Sequence, residues 1–241
     1  MTAIKGIIDK MTPTYTTKLP ISNLTVNYRP FLVKEEKILL IGMEDHAKND
    51  IKEQYMMIRN LLQSCTDIND IDTLPISEVE LMFLKLRSKS VNNIINIVLG
   101  AEGTDSTVNI KIDLDTINIS KDIPDSKIMI NDDVGMLLSP PTLGSFLNLE
   151  DTDLTTSAGQ FASLILMIKA SIKEIFTNDT VITVEELSSS DLDNFVQNIS
   201  TKALEKIADY YQKIPSVQKE VTYEIDGKEV TKTLRGIDDF L

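Results

Sequence analysis

At 241 residues, 42% hydrophobic and 25% charged, the chain has the composition of an ordinary globular protein and enough length to bury a full core, as one large domain or two small ones. A formal charge of −13 argues against nucleic-acid binding, which needs a positive surface, and equally against an anionic membrane surface. No run of about eighteen apolar residues offers a membrane span, and Lys5, Gly6 and Asp9 deny the first ten residues the apolar core of a signal peptide. Cys65 is the single cysteine, so no intramolecular disulfide or Cys-based zinc knuckle can form, and a cytoplasmic protein is the expectation.

Residues 1–20 read as an arm with one short strand near Tyr15 to Leu19. Leu24, Val26 and Tyr28 then alternate as a half-buried strand, which Pro30 ends because it has no N–H for the ladder. Leu32, Glu35, Glu36 and Leu39 follow a helical spacing with carboxylates in the first turn, which predicts a helix over about Val33 to Lys48. A second helix covers Ile51 to Cys65. Its apolar positions Ile51, Tyr55, Ile58, Leu62 and Cys65 fall on one stripe, making Cys65 a core residue. A reactive thiolate there would need a base beside it, and His46 is the single histidine.

The stretch Asp67 to Leu74 is acidic, but Ile71 occupies a ligand position and no Gly follows, so a calcium loop fails and a polar connector is expected. Ser77 with Glu80 has capping-box spacing after Pro75 and predicts the start of a third helix. Val79, Met82, Phe83 and Leu86 would be its buried face. Lys85, Arg87 and Lys89 would complement its C-terminal dipole, the alternative being a small basic docking patch.

From Ile94 to Leu138 the hydrophobic period falls to two, predicting a central antiparallel meander. Asp113 and Asp115 flank Leu114 on its polar face. Two carboxylates so placed could hold a cation or do acid–base work, but with no third ligand in the pattern they read as the solvent side of a strand. No residue is assigned a catalytic, cofactor-binding or metal-ligating role. The enzyme alternative is a metal-dependent hydrolase in which Asp113, Asp115 and His46 converge.

Pro140-Pro141 breaks the sheet, and Thr142 to Leu149 reads as one short helix. Ser157 to Phe176 is the most apolar stretch and reads as a helix apolar on nearly all sides, which its own fold or another chain must enclose. Phe161, Ile165, Ile168 and Ile172 are therefore candidate partner-binding residues. Helices follow at Asp191 to Ile199 and Thr201 to Ile214. Val221 to Leu234 then forms a hairpin about a primed Asp226-Gly227 turn, with Val221, Tyr223, Ile225, Val230 and Leu234 on one face. The closing Phe240 and Leu241 are either tucked under that hairpin or offered to a partner, and complete the candidate set.

The expected class is α+β: an N-terminal helical block, a central antiparallel β meander, a second helical block and a C-terminal β-hairpin. Chain order divides it into an arm at 1–20, a strand-plus-three-helix block with its sheet at 21–141, and a helical block with the hairpin at 142–241, or one continuous domain.

Asn27 to Ser90 carries a family resemblance. Tyr28-Arg29-Pro30-Phe31-Leu32-Val33-Lys34-Glu35-Glu36-Lys37 and the string Leu84-Lys85-Leu86-Arg87-Ser88-Lys89-Ser90-Val91 are similar to the baseplate hub protein family of T4-like contractile-tailed bacteriophages. Ile112-Asp113-Leu114, Ile128 to Gly135, Pro141-Thr142 and Gly236-Ile237-Asp238-Asp239-Phe240 fit the same family in the same order. Some members carry cysteine pairs in the mid-chain and C-terminal hairpins. Here Gly100 to Ser106 and Asp226-Gly227 occupy such turns without cysteine. The resemblance implies a non-enzymatic late protein that builds the hub, either kept in the virion or acting as an assembly factor, with no catalytic residue to carry over and no cofactor. Its implied partners are hub, spike, tail-tube or tape-measure subunits, with a homo-oligomer as a further option, and neither nucleic acid nor membrane. Its implied location is the host cytoplasm during assembly and then the tail baseplate.

Overall fold

The computed structural model describes residues 11–37, 51–100, 106–119, 124–148 and 156–240. The architecture is mixed α+β with antiparallel sheets, and the chain divides into two compact units. One holds residues 1–71, 77–121 and 216–241; the other holds 72–76 and 122–215. The first unit thus gathers the two ends and part of the middle of the chain, whereas the sequence-order division at 20/21 and 141/142 follows the chain linearly.

In the first unit β1 (Tyr15–Lys18) pairs with β2 (Thr25–Tyr28) in an antiparallel hairpin, Tyr15 opposite Tyr28. The expected arm therefore holds its strand in a sheet. A helical turn at 33–37 follows Pro30, and the rest of the helix expected to Lys48 lies outside the described residues, as does His46. Helix α1 (Ile51–Cys65) has the expected bounds and buries Tyr55, Ile58, Leu62 and Cys65; Ile51, at its first turn, is exposed instead.

Helix α2 (Ile76–Ser90) is enclosed almost all round, burying Val79, Leu81, Met82, Phe83, Leu84 and Leu86 together with Glu78 and Glu80. Each fully buried Leu or Met contributes about 1.5–3 kcal/mol. The helix starts two residues earlier than the capping-box spacing, with Ser77 as N-cap, predicts. Ser77 lies inside the first turn, and among the described residues its buried hydroxyl has no hydrogen-bond partner. The neighbouring carboxylates are used elsewhere. Glu78 Oε1 accepts from the backbone N–H groups of Ile21 (2.6 Å) and Ser22 (3.0 Å), and Glu80 Oε1 accepts from the Tyr55 hydroxyl at 2.5 Å. A buried carboxylate in the first helical turn is also favoured by the macrodipole.

The expected meander is split between the units. Strands β3 (Ile94–Gly100) and β4 (Thr107–Asp113) form a two-stranded sheet of the first unit. The chain then takes a 3-10 turn at Leu114–Thr116 in place of a further strand, leaving Ile117 and Ile119 buried and Asn118 bridged to Gln218.

The second unit carries an antiparallel sheet in the order β5 (Lys127–Met129), β6 (Val134–Leu138), β7 (Ile172–Thr177), β8 (Val181–Thr183). The short helix α3 (Leu143–Leu147) is capped reciprocally by Thr142 and Ser145. Helix α4 (Ser157–Ser171) stops five residues before the expected Phe176, because Ile172 to Thr177 pair with β6 and satisfy their backbone in the sheet instead. β-branched and aromatic side chains suit a pleated surface, so Ile172, Ile175 and Phe176 meet no local penalty. Helices α5 (Ser189–Gln197) and α6 (Thr201–Lys213) complete the unit. Its core joins Met136, Leu138, Ile168, Ile172, Val196, Ala203, Ile207 and Tyr210.

Back in the first unit, β9 (Gln218–Ile225) and β10 (Lys228–Arg235) form the closing hairpin. Its register places Val230 opposite Tyr223 and Thr231 opposite Thr222, giving the two faces expected. Asp226 (φ 52°) and Gly227 (φ 73°) both lie in the left-handed region that a type I′ turn requires.

Candidate functional site

Arg29, where β2 hands over to the helical turn at 33–37, is the hub of a bonding network. Its guanidinium donates to Glu35 at 3.0 Å and to the carbonyls of Ser64 (2.9 Å) and Pro30 (3.0 Å), while its backbone N–H donates to the Cys65 carbonyl at 2.9 Å. The second oxygen of Glu35 accepts from the Leu32 N–H at 2.6 Å. Burial pushes this carboxyl up, but the hydrogen bonds from Arg29 and Leu32, the Arg29 charge and Lys34 outweigh it and hold Glu35 below the usual carboxylate range. Phe31 N–H donates to Ser90 Oγ at 2.9 Å, tying the turn to the end of α2. The stretch most distinctive in sequence is therefore spent on joining β2, α1 and α2.

The acidic pair singled out in the sequence is likewise engaged by its own chain. Asp113 Oδ1 accepts from Asn93 Nδ2 and from the Asp115 N–H, both at 3.0 Å. Asp115 accepts from Ser88 Oγ at 2.5 Å and from Lys89 Nζ at 2.8 Å, and these bonds hold its carboxyl below the ordinary range. Lys89 is thereby committed, and Arg87 reaches the Phe240 carbonyl at 3.4 Å, so these two of the three α2 cations serve internal contacts. Among the described residues no three His, Cys, Asp or Glu side chains are grouped to hold a metal ion. Cys65 is buried, and that burial pushes its thiol up to about 11.

The candidate partner-binding residues have different surroundings. Ile168 and Ile172 are fully buried in the core of the second unit and Ile165 is half-buried against it. Phe161, about two turns before Ile168 on α4, is 54% exposed. Phe240 is buried in the first unit, and Leu241 lies outside the described residues. Of the fifteen α4 residues only Ile168 and Ser171 are buried, although the helix is the most apolar in the chain. The enclosed helix is α2. Sequence reasoning passed over Val181 and Ile182 of β8, which are also exposed; their signal is a short Val-Ile-Thr-Val run between Asn178-Asp179 and Glu185-Glu186.

Charge is unevenly shared. The second unit carries 16 Asp and Glu against 6 Lys, a formal −10, which leaves −3 for the first. A small apolar cleft among Ile76, Pro141, Ser145, Phe146, Met167 and Ala170 has about 10 Å³, room for at most one water. No described helix is long and apolar enough to cross a membrane. What the second unit presents is an acidic surface with open apolar side chains, suited to meeting another protein.

The model of one protein family, described as T4 bacteriophage base plate protein, matches residues 12–241. No curated protein and no solved structure matches the chain.

Proposed function

The chain belongs to the T4 bacteriophage base plate protein family, and from that membership we propose that it serves the central hub of the tail baseplate as a non-enzymatic structural or assembly protein. It is a phage baseplate protein, and such a protein works in contact with other baseplate components. The observation that carries the reading is helix α4: an element of this apolarity that leaves Phe161 open has its burial unfinished within its own fold. The hub, spike, tail-tube or tape-measure subunits are the partners in this reading. They are met first in the host cytoplasm and then in the tail, through Phe161 and the flank of Ile165, with Ile168 and Ile172 supporting that flank from the core.

The acidity of the second unit fits a partner face rimmed with Lys and Arg, which would speed encounter and fix register more than it adds affinity. The internal engagement of Asp113 and Asp115 supports a role without turnover. Co-expression with hub, spike, tail-tube and tape-measure subunits tests the proposal. Stable co-purification with one of them, lost on Phe161→Asp while the fold is kept, is the expected result. A monomer that never co-purifies with any of them would sink it, and mass spectrometry of purified particles decides between retention and an assembly role.

A further inference from the structure

Strand β3 is an unprotected edge. Its sequence, Ile94-Ile-Asn-Ile-Val-Leu-Gly100, has no charge and no proline over seven residues, and among the described residues only β4 pairs with it. Three bonds fix which way its backbone points. Asn93 carbonyl accepts from the Leu114 N–H on the β4 side, whereas the Ile94 N–H donates to Asn92 Oδ1 and the Gly100 carbonyl accepts from the Tyr223 hydroxyl, both away from the ladder. Because orientation alternates along a strand, the N–H and C=O groups of Asn96 and Val98 face the same open side as those of Ile94 and Gly100. On the outer face Asn96 is exposed and Val98 is 61% exposed, and on the inner face Ile97 is only half-buried between the buried Ile95 and Leu99.

Three other described edges carry a blocking device. Lys206 Nζ occupies the Met129 carbonyl of β5 at 2.7 Å, the Glu186 carboxylate occupies the Thr183 N–H of β8 at 2.8 Å, and β10 is laced with Lys228, Glu229, Lys232 and Arg235. Natural sheets blunt open edges in these ways, and β3 has such a device only at its two ends, where Asn92 takes the Ile94 N–H and Tyr223 the Gly100 carbonyl, leaving Asn96 and Val98 uncovered.

We propose that β3 pairs antiparallel with β3 of a second copy of this chain across a twofold axis. Setting Ile97 opposite Ile97 of the other copy brings Asn96 opposite Val98 twice, so the free N–H and C=O groups satisfy one another reciprocally. The same register covers one flank of Val98 and adds cover to Ile97. Charge permits a second copy here, because no ionisable side chain lies between Val91 and Gly100 and the first unit carries only −3 of the −13. The inference rests on this edge and stands apart from the hub reading.

Sedimentation of the full chain from about 1 to about 100 μM reads the association directly, since a single strand pairing gives affinities toward the weak end of protein interfaces. Wild-type protein is expected to move from its 27.0 kDa monomer toward about twice that mass with rising concentration. Asn96→Pro, which removes an outward N–H, and Val98→Lys, which charges the edge, should abolish the shift with the far-UV circular dichroism unchanged. Register is tested by Ile97→Cys. Opposed residues in a non-hydrogen-bonded pair sit about 4.5 Å apart, within disulfide reach, so mild oxidation should give a covalent dimer that Val181→Cys does not. A wild type that stays monomeric throughout overturns the proposal, whether or not another baseplate subunit takes the edge. So does a dimer that survives both edge substitutions, or an Ile97→Cys chain that never crosslinks.

Discussion

Arg29 and Glu35 meet at 3.0 Å across the turn that follows β2, with the Glu35 side chain 7% exposed and that of Arg29 26% exposed. The pair holds the Tyr28-to-Lys37 stretch against the ends of α1 and α2, so the family's most recognisable residues secure architecture rather than a free surface.

Removing Arg29 leaves a largely buried carboxylate with only the exposed Lys34 ammonium, 3.3 Å away, as its cationic partner. Arg29→Ala should cost about 2–3 kcal/mol by urea denaturation at pH 7, less than the 3–5 kcal/mol of a fully buried pair because Arg29 is partly solvated. The sign with pH follows from Glu35 lying below its ordinary value. Its contribution is full above the unfolded carboxylate pKa of about 4.3 and is lost as pH falls through the lower folded value. Glu35→Gln should therefore narrow the stability gap between pH 7 and pH 3 relative to wild type. An unchanged gap would contradict the pairing.

Phe161 and Ile168 share a helix but not an environment, so their substitutions should separate binding from folding. Phe161→Asp should alter stability by no more than about 0.5 kcal/mol, as exposed positions do, while abolishing recovery with baseplate partners. Ile168→Ala empties part of the core and should cost about 2–5 kcal/mol in thermal or urea unfolding. Equal losses of stability in the two variants would refute this division.

Gly135 on β6 lies directly under the Phe176 ring of β7. A Cβ there would clash with Phe176 Cζ and stand 2.9 Å from the Met129 sulfur, so a side chain at this position displaces the ring. Gly135→Ala should destabilise by about 1–3 kcal/mol and release Lys127, which rests 4.6 Å from the ring centroid. Calorimetry of Gly135→Ala against Phe176→Leu/Gly135→Ala checks the cause, the double variant being the more stable of the two.

Cys65 should be inert in the native chain. With the residue 2% exposed and its thiol pushed up to about 11, aromatic disulfide reagents at pH 8 should react with it only as the protein unfolds. Reaction of the folded protein at the rate of a free thiol would show that the helix α1 stripe is not buried.

Local chemistry alone determined much of this molecule. The stripe from Tyr55 to Cys65 makes α1 because its spacing leaves one apolar face, and Asp226-Gly227 makes a primed turn because these residues accept positive φ wherever they stand. Tertiary structure decided what those patterns leave open. Ile172 to Thr177 became a strand because β6 supplied bonds along it, and the period-two stretch from Ile94 to Leu138 was divided because its halves found cores in separate units. Enclosure was settled the same way. Helix α2 went inside with Glu78 and Glu80 because Ile21, Ser22 and Tyr55 bring donors to those carboxylates, while the greasier α4 kept Phe161 in the open. Burial depends on which neighbours can satisfy an element, and a one-dimensional pattern of side chains records apolarity without recording those neighbours.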